Sequence, residues 1–367
     1  MRGGNPGCPA HHQSGNESDE VIQMLPLTIS RVAGRVIAVT LLPLSLLAHT
    51  VAAAELDWTN FKQRFMQPEG RVADHAQGDI SHSEGQGFAM LLAVHYGDSA
   101  AFDHLWQWTQ QHLQVRGDSL LAWRWQPQNG ITDKNNASDG DLLVAWSLLR
   151  AYEKWHTPDY LKASQMIAQD IRGKLLKKTS HGLILLPGVE GFDNPGGITI
   201  NLSYWVFPAL RDIVRADPSP DWDELAKSGI AILQYAKFGR WGLPPDWLLL
   251  DDKVKPAGGF PERFSYDAVR IPLYLIWGNR ESEALLKPSR DSWRYFSASR
   301  FLPAWTNFND DSVDSYDASA GIHAIASWVT GFPDYPPVQA NTDEQQGYYS
   351  TVLFLVGKMA AEERAGR

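Results

Sequence analysis

The feature that most constrains this chain is a period. From Ser83 onward apolar residues recur at helical spacing: Glu84 is followed by Phe88, Leu91, Leu92 and His95 before Gly97 stops the run. A second run follows at once with Ala101, Leu105, Trp108 and His112. Comparable stretches lie at 139–155, 159–177, 204–215, 222–237, 267–277, 281–288, 318–329 and 343–363. No alternating strand series and no nucleotide-binding glycine loop competes, so the chain is expected to be all-α. Helices in this number build either a solenoid or a closed barrel of helix pairs. No repeat of about 34 or 40 residues recurs, which disfavours the solenoid. The segments 186–203 and 240–264, rich in Gly, Pro, Asp and Trp, are long for plain connections, and long ordered loops commonly carry function.

The first 54 residues stand apart. Arg31 and Arg35 precede an apolar run from Val36 to Leu47, which leads through Ala48 and Val51 to Ala52, Ala53 and Ala54 before Glu55. This is the order of a basic region, an apolar region and a small-residue cleavage site. Roughly 12 apolar residues interrupted by Pro43 fall short of the roughly 20 that span a bilayer, so a cleaved leader is expected rather than an anchor. Residues 1–23 are polar and poorly suited to a leader, which makes Met24 an alternative start. The mature chain is then expected to be one catalytic domain, 55–367, periplasmic or secreted and without a membrane span. The sole cysteine, Cys8, lies in the removable part, so neither a disulfide nor thiol chemistry is expected.

The chain carries 42 acidic against 33 basic residues, a net charge of -9. Nucleic acid or an anionic membrane surface would call for a basic field instead. The 11 histidines include no H-E-x-x-H and have no cysteine partners outside the leader, so no metal is expected. His82, His95 and His112 read as packing or surface residues. No G-x-S-x-G elbow supports an activated serine.

What remains is a set of carboxylates at loop-helix junctions: Glu84, Asp139, Asp141 and Asp267. Acidic residues in a first turn also satisfy free backbone N–H groups and the helix dipole, with Ser83, Ser138 and Ser265 as plausible caps. Glycines beside Glu84 and Asp139 admit another backbone or a ligand at close range. The same junction recurs three times, and helix entrances on one rim of a barrel would gather such residues around one cavity.

The aromatic residues suggest what that cavity takes. All 15 tryptophans follow residue 54. Trp123 and Trp125 lie upstream of Asp139, Tyr204 and Trp205 follow Asn201, and Trp241 and Trp247 flank Pro244 and Pro245. Aromatic faces match the C–H faces of pyranose rings, and carboxylates match the hydroxyl rim. Trp106, Trp108, Trp146 and Trp277, at helical spacing, read as core.

Three ordered motifs, Ser83 to Gly87, Ala137 to Asp141 continued by Ala145, Ser147, Leu148, Ala151 and Trp155, and Tyr266 to Arg270, together resemble glycoside hydrolase family eight. The likeness is greatest to the endoglucanases encoded with bacterial cellulose synthase, and it spans roughly residues 57 to 360. The resemblance implies an (α/α)6 barrel with an open substrate cleft at one rim, an inverting mechanism, a β-1,4-glucan substrate and no cofactor. It also implies a functional link to the cellulose synthase complex. By position Glu84 corresponds to the family's general acid and Asp267 to its base. Asp139 corresponds to the carboxylate that holds the sugar at the scissile position. Tyr266 and Arg270 flank Asp267 as site residues do, and either Tyr348 or Tyr349 matches a late tyrosine near the catalytic water.

Two positions depart from the family pattern: Asn201-Leu202-Ser203-Tyr204 lacks the usual proline, and Val144 replaces Ile or Met. Xylanase, chitosanase and mixed-linkage activities belong to the same family. A non-catalytic glucan-binding component of the export machinery is the contrasting expectation, disfavoured by the intact Glu84, Asp139 and Asp267.

Overall fold

A computed structural model describes residues 57–299, 301–331 and 347–366. The leader expected before Glu55, with Cys8, lies outside the described residues. Helix α1 (57–65) is absent from the periodic stretches above, yet Trp58, Phe61 and Phe65 bury one of its faces. Helices α2 (Ser83–Tyr96) and α3 (Ser99–His112) follow the expected runs, and α2 ends at Gly97 in a left-handed conformation, φ 76°. Next come α4 (Ser138–Trp155), α5 (Pro158–Lys174), α6 (Phe207–Asp212) and α7 (Asp221–Tyr235). The last four are α8 (Arg270–Trp277), α9 (Glu283–Ser297), α10 (Ala320–Thr330) and α11 (Tyr348–Ala365). Proline opens α5, where its missing N–H costs nothing. Helix α9 runs well past the expected 288, through Pro288, because its buried stripe of Leu286, Ser289 and Trp293 continues beyond the proline.

The contacts close on themselves. Helix α2 packs on α4, α4 on α6, α6 on α8, α8 on α10 and α11, and α11 returns to α2. Outside this inner ring α3 lies on α2, α5 on α4, α7 on α6 and α9 on α8 and α10. This is the expected (α/α)6 barrel. Its centre is filled: Trp146 and Trp277 are fully buried and meet edge to face at 5.0 Å. Trp106 and Trp108 are buried as well, in line with their helical spacing.

The all-α expectation needs one amendment. The two long segments expected as loops pair with each other in a four-stranded antiparallel sheet of β5 (Asp193–Asn194), β6 (Gly197–Ile200), β7 (Leu248–Leu250) and β8 (Val254–Pro256). Ile198, Thr199 and Ile200 face Leu250, Leu249 and Leu248 in register. Smaller two-stranded pairs join β1 (Ser81–His82) to β2 (Arg124–Trp125), β3 (Leu176–Thr179) to β4 (Gly182–Leu185), and β9 (Arg263–Phe264) to β10 (Thr306–Asn307). Strands of two to four residues are too short to display an alternation, so the sequence read these as loops.

Candidate active site

The entrances of α2, α4 and α8 meet at one rim, each bringing charge. Glu84 is in the first turn of α2, Asp139 in the first turn of α4, and Arg270 is the first residue of α8. A cation at a helix N-terminus opposes the dipole, and a buried one must be paired. Arg270 is 2% exposed, and three carboxylates surround it. Its Nη1 meets Glu84 Oε1 and lies 3.7 Å from Asp139 Oδ2. Its Nη2 donates to Asp267 Oδ1 at 2.8 Å and to Ser203 Oγ at 3.0 Å. The structure thus brings together the four charged residues singled out from separate motifs.

More negative charge than positive is enclosed here, and for two of the acids burial favours the protonated form. Burial pushes Asp139 up to about 7, against the pull of the Gly140 N–H that its Oδ1 accepts. Burial and the charges of Asp246 and Asp139 push Asp267 up to about 8, while the Asn201 amide opposes them. About a third of the Asp267 side chain is exposed to solvent on one side. Its other sides are enclosed by protein, with Asn201 Nδ2 donating to Oδ2 at 3.0 Å.

The local supports differ from those expected. Helix α2 is capped by His82, whose Nδ1 accepts the Gly85 N–H at 3.0 Å, and Ser83 lies inside the helix. His82 therefore holds the turn that carries Glu84, and burial keeps its ring neutral by lowering its pKa to about 4. Ser138 does not cap α4. Ser265 is itself held by a buried carboxylate, Asp246, which accepts the Ser265 N–H at 3.0 Å, the Ser265 hydroxyl, and the Ala268 N–H at 2.9 Å. Asp141 is structural: fully buried, it accepts the Leu121 N–H at 2.8 Å and the Asn136 amide at 2.7 Å, tying down the approach to α4. The glycines serve helix packing. A Cβ on Gly140 would stand 2.1 Å from Ser83 Oγ, and one on Gly87 would stand 2.6 Å from Leu143 Cβ.

The aromatic candidates divide. Tyr204 and Trp123 line a cavity of about 180 Å³ together with Gln77, His82, Glu84 and Asp139. The Trp123 indole N–H donates to Asp133 at 2.9 Å, which fixes its ring. Tyr266 is exposed at the rim, where its hydroxyl lies 3.5 Å from that of Tyr316, a residue the sequence did not single out. Tyr349 donates its hydroxyl to the Tyr266 carbonyl at 2.5 Å.

Trp205 is a correction: it is fully buried, donates to the Leu225 carbonyl at 2.9 Å and packs on Gly229, so it belongs to the core. Tyr348, 1% exposed among Phe61, Phe65 and His82, is likewise a packing residue. Trp247 is half-buried, stacked on Phe192 at 5.9 Å and on Phe260 at 4.5 Å, with Tyr204 edge-on at 5.9 Å. Trp125 stands outside the cavity lining, edge-on to Trp108 and under the Arg71 guanidinium. Trp241 packs on Tyr295 and Phe296 of α9.

A larger cavity, about 550 Å³, opens at the C-terminal ends of α2, α4 and α11. Its charges are paired with one another, as in Arg150 with Glu363 and Arg215 with Glu153 and Asp212. The smaller cavity is the one that holds Glu84 and Asp139.

The family model described as Glycosyl hydrolases family 8 matches residues 33–363. A probable endoglucanase of Novacetimonas hansenii is 36% identical over 316 residues, 85% of this chain and 92% of that protein. An endoglucanase of Cellulomonas uda is 40% identical over 286 residues, 77% and 79% of the two chains. Among solved structures, the endo-beta-1,4-glucanase CMCax of Acetobacter xylinum superposes with a TM-score of 0.80 at 35% identity, covering 86% of this chain and 99% of its own.

Proposed function

The chain belongs to glycosyl hydrolases family 8, and from that premise we propose that it is an exported endo-β-1,4-glucanase that hydrolyses cellulose-type β-glucan with inversion. The observation that carries this reading is the trio of Glu84, Asp139 and Asp267 around one buried guanidinium at the open rim. Glu84 protonates the departing glycosidic oxygen. Asp267 takes the proton of a water that attacks from the opposite face of the sugar, and Asp139 holds the ring and supports the positive charge that develops on it. Inverting hydrolysis needs the two working carboxyl groups about 6.5 to 9.5 Å apart to admit that water. Arg270 is bonded to both, through Nη1 to Glu84 and through Nη2 to Asp267. Trp123 and Tyr204 offer ring surface beside the acid.

The β-1,4-glucan substrate is supported by the name of the endo-beta-1,4-glucanase at 35% identity, and endoglucanase activity by the relatives at 36 and 40%. Export is supported by the leader-like run before Glu55, and the link to cellulose synthesis by the motif likeness alone.

The test is a reducing-sugar assay on carboxymethylcellulose with wild type and Glu84→Gln, followed by proton NMR of a fresh digest. Wild type should release reducing ends, the variant at least about 10²-fold more slowly, and the α-anomer should appear first. Glucan binding without hydrolysis by the wild type would return the chain to a binding component. Early accumulation of the β-anomer would make one carboxylate a nucleophile and end the inverting assignment.

A further inference from the structure

Asp246 is a buried carboxylate that none of the proposed catalytic steps uses. It follows Pro244 and Pro245 and precedes β7, and its own N–H donates to the Arg263 carbonyl at 3.1 Å, which fixes it against β9. Its three side-chain hydrogen bonds all come from one turn, through the Ser265 N–H, the Ser265 hydroxyl and the Ala268 N–H. Asp267 sits between those two anchored residues. A carboxylate accepts two N–H donors and a hydroxyl at once, whereas an amide would have to turn a donor toward that hydroxyl.

We propose that Asp246 is the positioning residue of the base: through Ser265 and Ala268 its buried carboxyl group anchors the turn that carries Asp267. This rests on the reading of Asp267 as the base. The groups facing Asp267 come from every neighbouring element: Arg270 of α8, Asn201, Asp139 of α4, and the hydroxyls of Tyr204, Tyr274 and Tyr349. Glu84 reaches it only through Arg270. Facing Asp246, besides the turn, is the Arg263 guanidinium. Arg270 and Asn201 favour an ionised Asp267, which would make it a weak proton acceptor. Asp246 offsets them, and a better acceptor draws the proton from water more readily in the transition state. The anchored turn meanwhile keeps the carboxylate oxygens on the attacking water.

Four variants of the full chain separate these effects, each checked for folding by its melting curve. Asp267→Asn should lose about 10² to 10⁴-fold in kcat. Asp246→Asn, which keeps shape and removes charge, should move the acid limb of kcat/KM to lower pH by about one unit and lower the plateau kcat with KM little changed. Asp246→Glu keeps the charge but displaces the turn, so it should lower kcat with the limb in place. Ser265→Ala removes one anchor and no charge, and its limb should also stay.

If Asp267→Asn is inactive while the limb of Asp246→Asn stays or moves upward, the role given to Asp246 is wrong and that of Asp267 stands. A downward limb shift in Asp246→Glu would overturn it equally, because the charge is still there. Near-normal turnover by Asp267→Asn would remove the base assignment itself.

Discussion

A buried acid with a raised pKa makes stability depend on pH in a fixed direction. Asp139 ionises near 7 in the folded chain against an ordinary 3.8, with burial as the cause. Below the lower value both folded and unfolded chains hold the proton, and burial carries no electrostatic penalty. Between the two values the unfolded chain ionises and the folded chain does not, so stability falls as pH rises from about 4 to 7. Asp139→Asn keeps the acceptor for the Gly140 N–H and removes this dependence. Its melting temperature should match wild type near pH 4 and exceed it by a few degrees at pH 8, at the expense of turnover. A variant less stable than wild type at pH 8 would mean that Asp139 is ionised and paired with Arg270. Arg270 itself shows why the candidate residues were legible one at a time but their joint work was not. Each acid could be read as a first-turn capping residue until one guanidinium was seen to bind three of them.

At the scale of elements, the crossing of α2 and α4 decides where Glu84 and Asp139 stand. Gly140 lies against Ser83 and the Glu84 N–H, and a Cβ there would overlap both. Gly140→Ala should therefore cost about 1 to 3 kcal/mol by overpacking and lower kcat further by displacing both carboxylates; wild-type activity in a folded Gly140→Ala protein would contradict this placement. The two aromatic readings can be separated in the same way. Trp205→Ala should cost about 3 to 5 kcal/mol of stability. Trp123→Ala, at the cavity wall, should leave the melting temperature near wild type and raise KM for long glucans by about tenfold. Thermal melts and kinetics on the two variants check both expectations. The sequence placed both tryptophans in the cleft because Trp123 lies upstream of Asp139 and Trp205 follows Asn201. Only the packing of Trp205 on Gly229 and its bond to the Leu225 carbonyl distinguish them.

For the whole molecule, inner helices that enter from the same rim put polar first turns around one opening and leave the middle of the barrel apolar. The cavity at the opposite end is lined by paired charges such as Arg150 with Glu363. Among the described residues no helix is long and apolar enough to cross a membrane. If the leader is cleaved as its pattern predicts, N-terminal sequencing of exported material should begin near Glu55. Recovery of the chain only in membranes, with residues 36–47 retained, would contradict export with cleavage.

Most of the helices, the barrel class and the identity of Glu84, Asp139, Asp267 and Arg270 as the charged candidates were legible in the sequence alone. Helical periodicity is local, and the three motifs that carry these residues are contiguous runs. Tertiary structure alone decided what the side chains do. It made His82 the cap of α2 and, through partners distant in sequence, Asp141 a tie for the preceding loop and Asp246 the anchor of the turn that carries Asp267. It also paired 197–200 with 248–250 and so turned two expected loops into a sheet. Burial has the same origin. Nothing within a few residues of Trp205 or Tyr348 separates an aromatic ring that faces the cleft from one that faces the core, because that depends on which distant helix covers it.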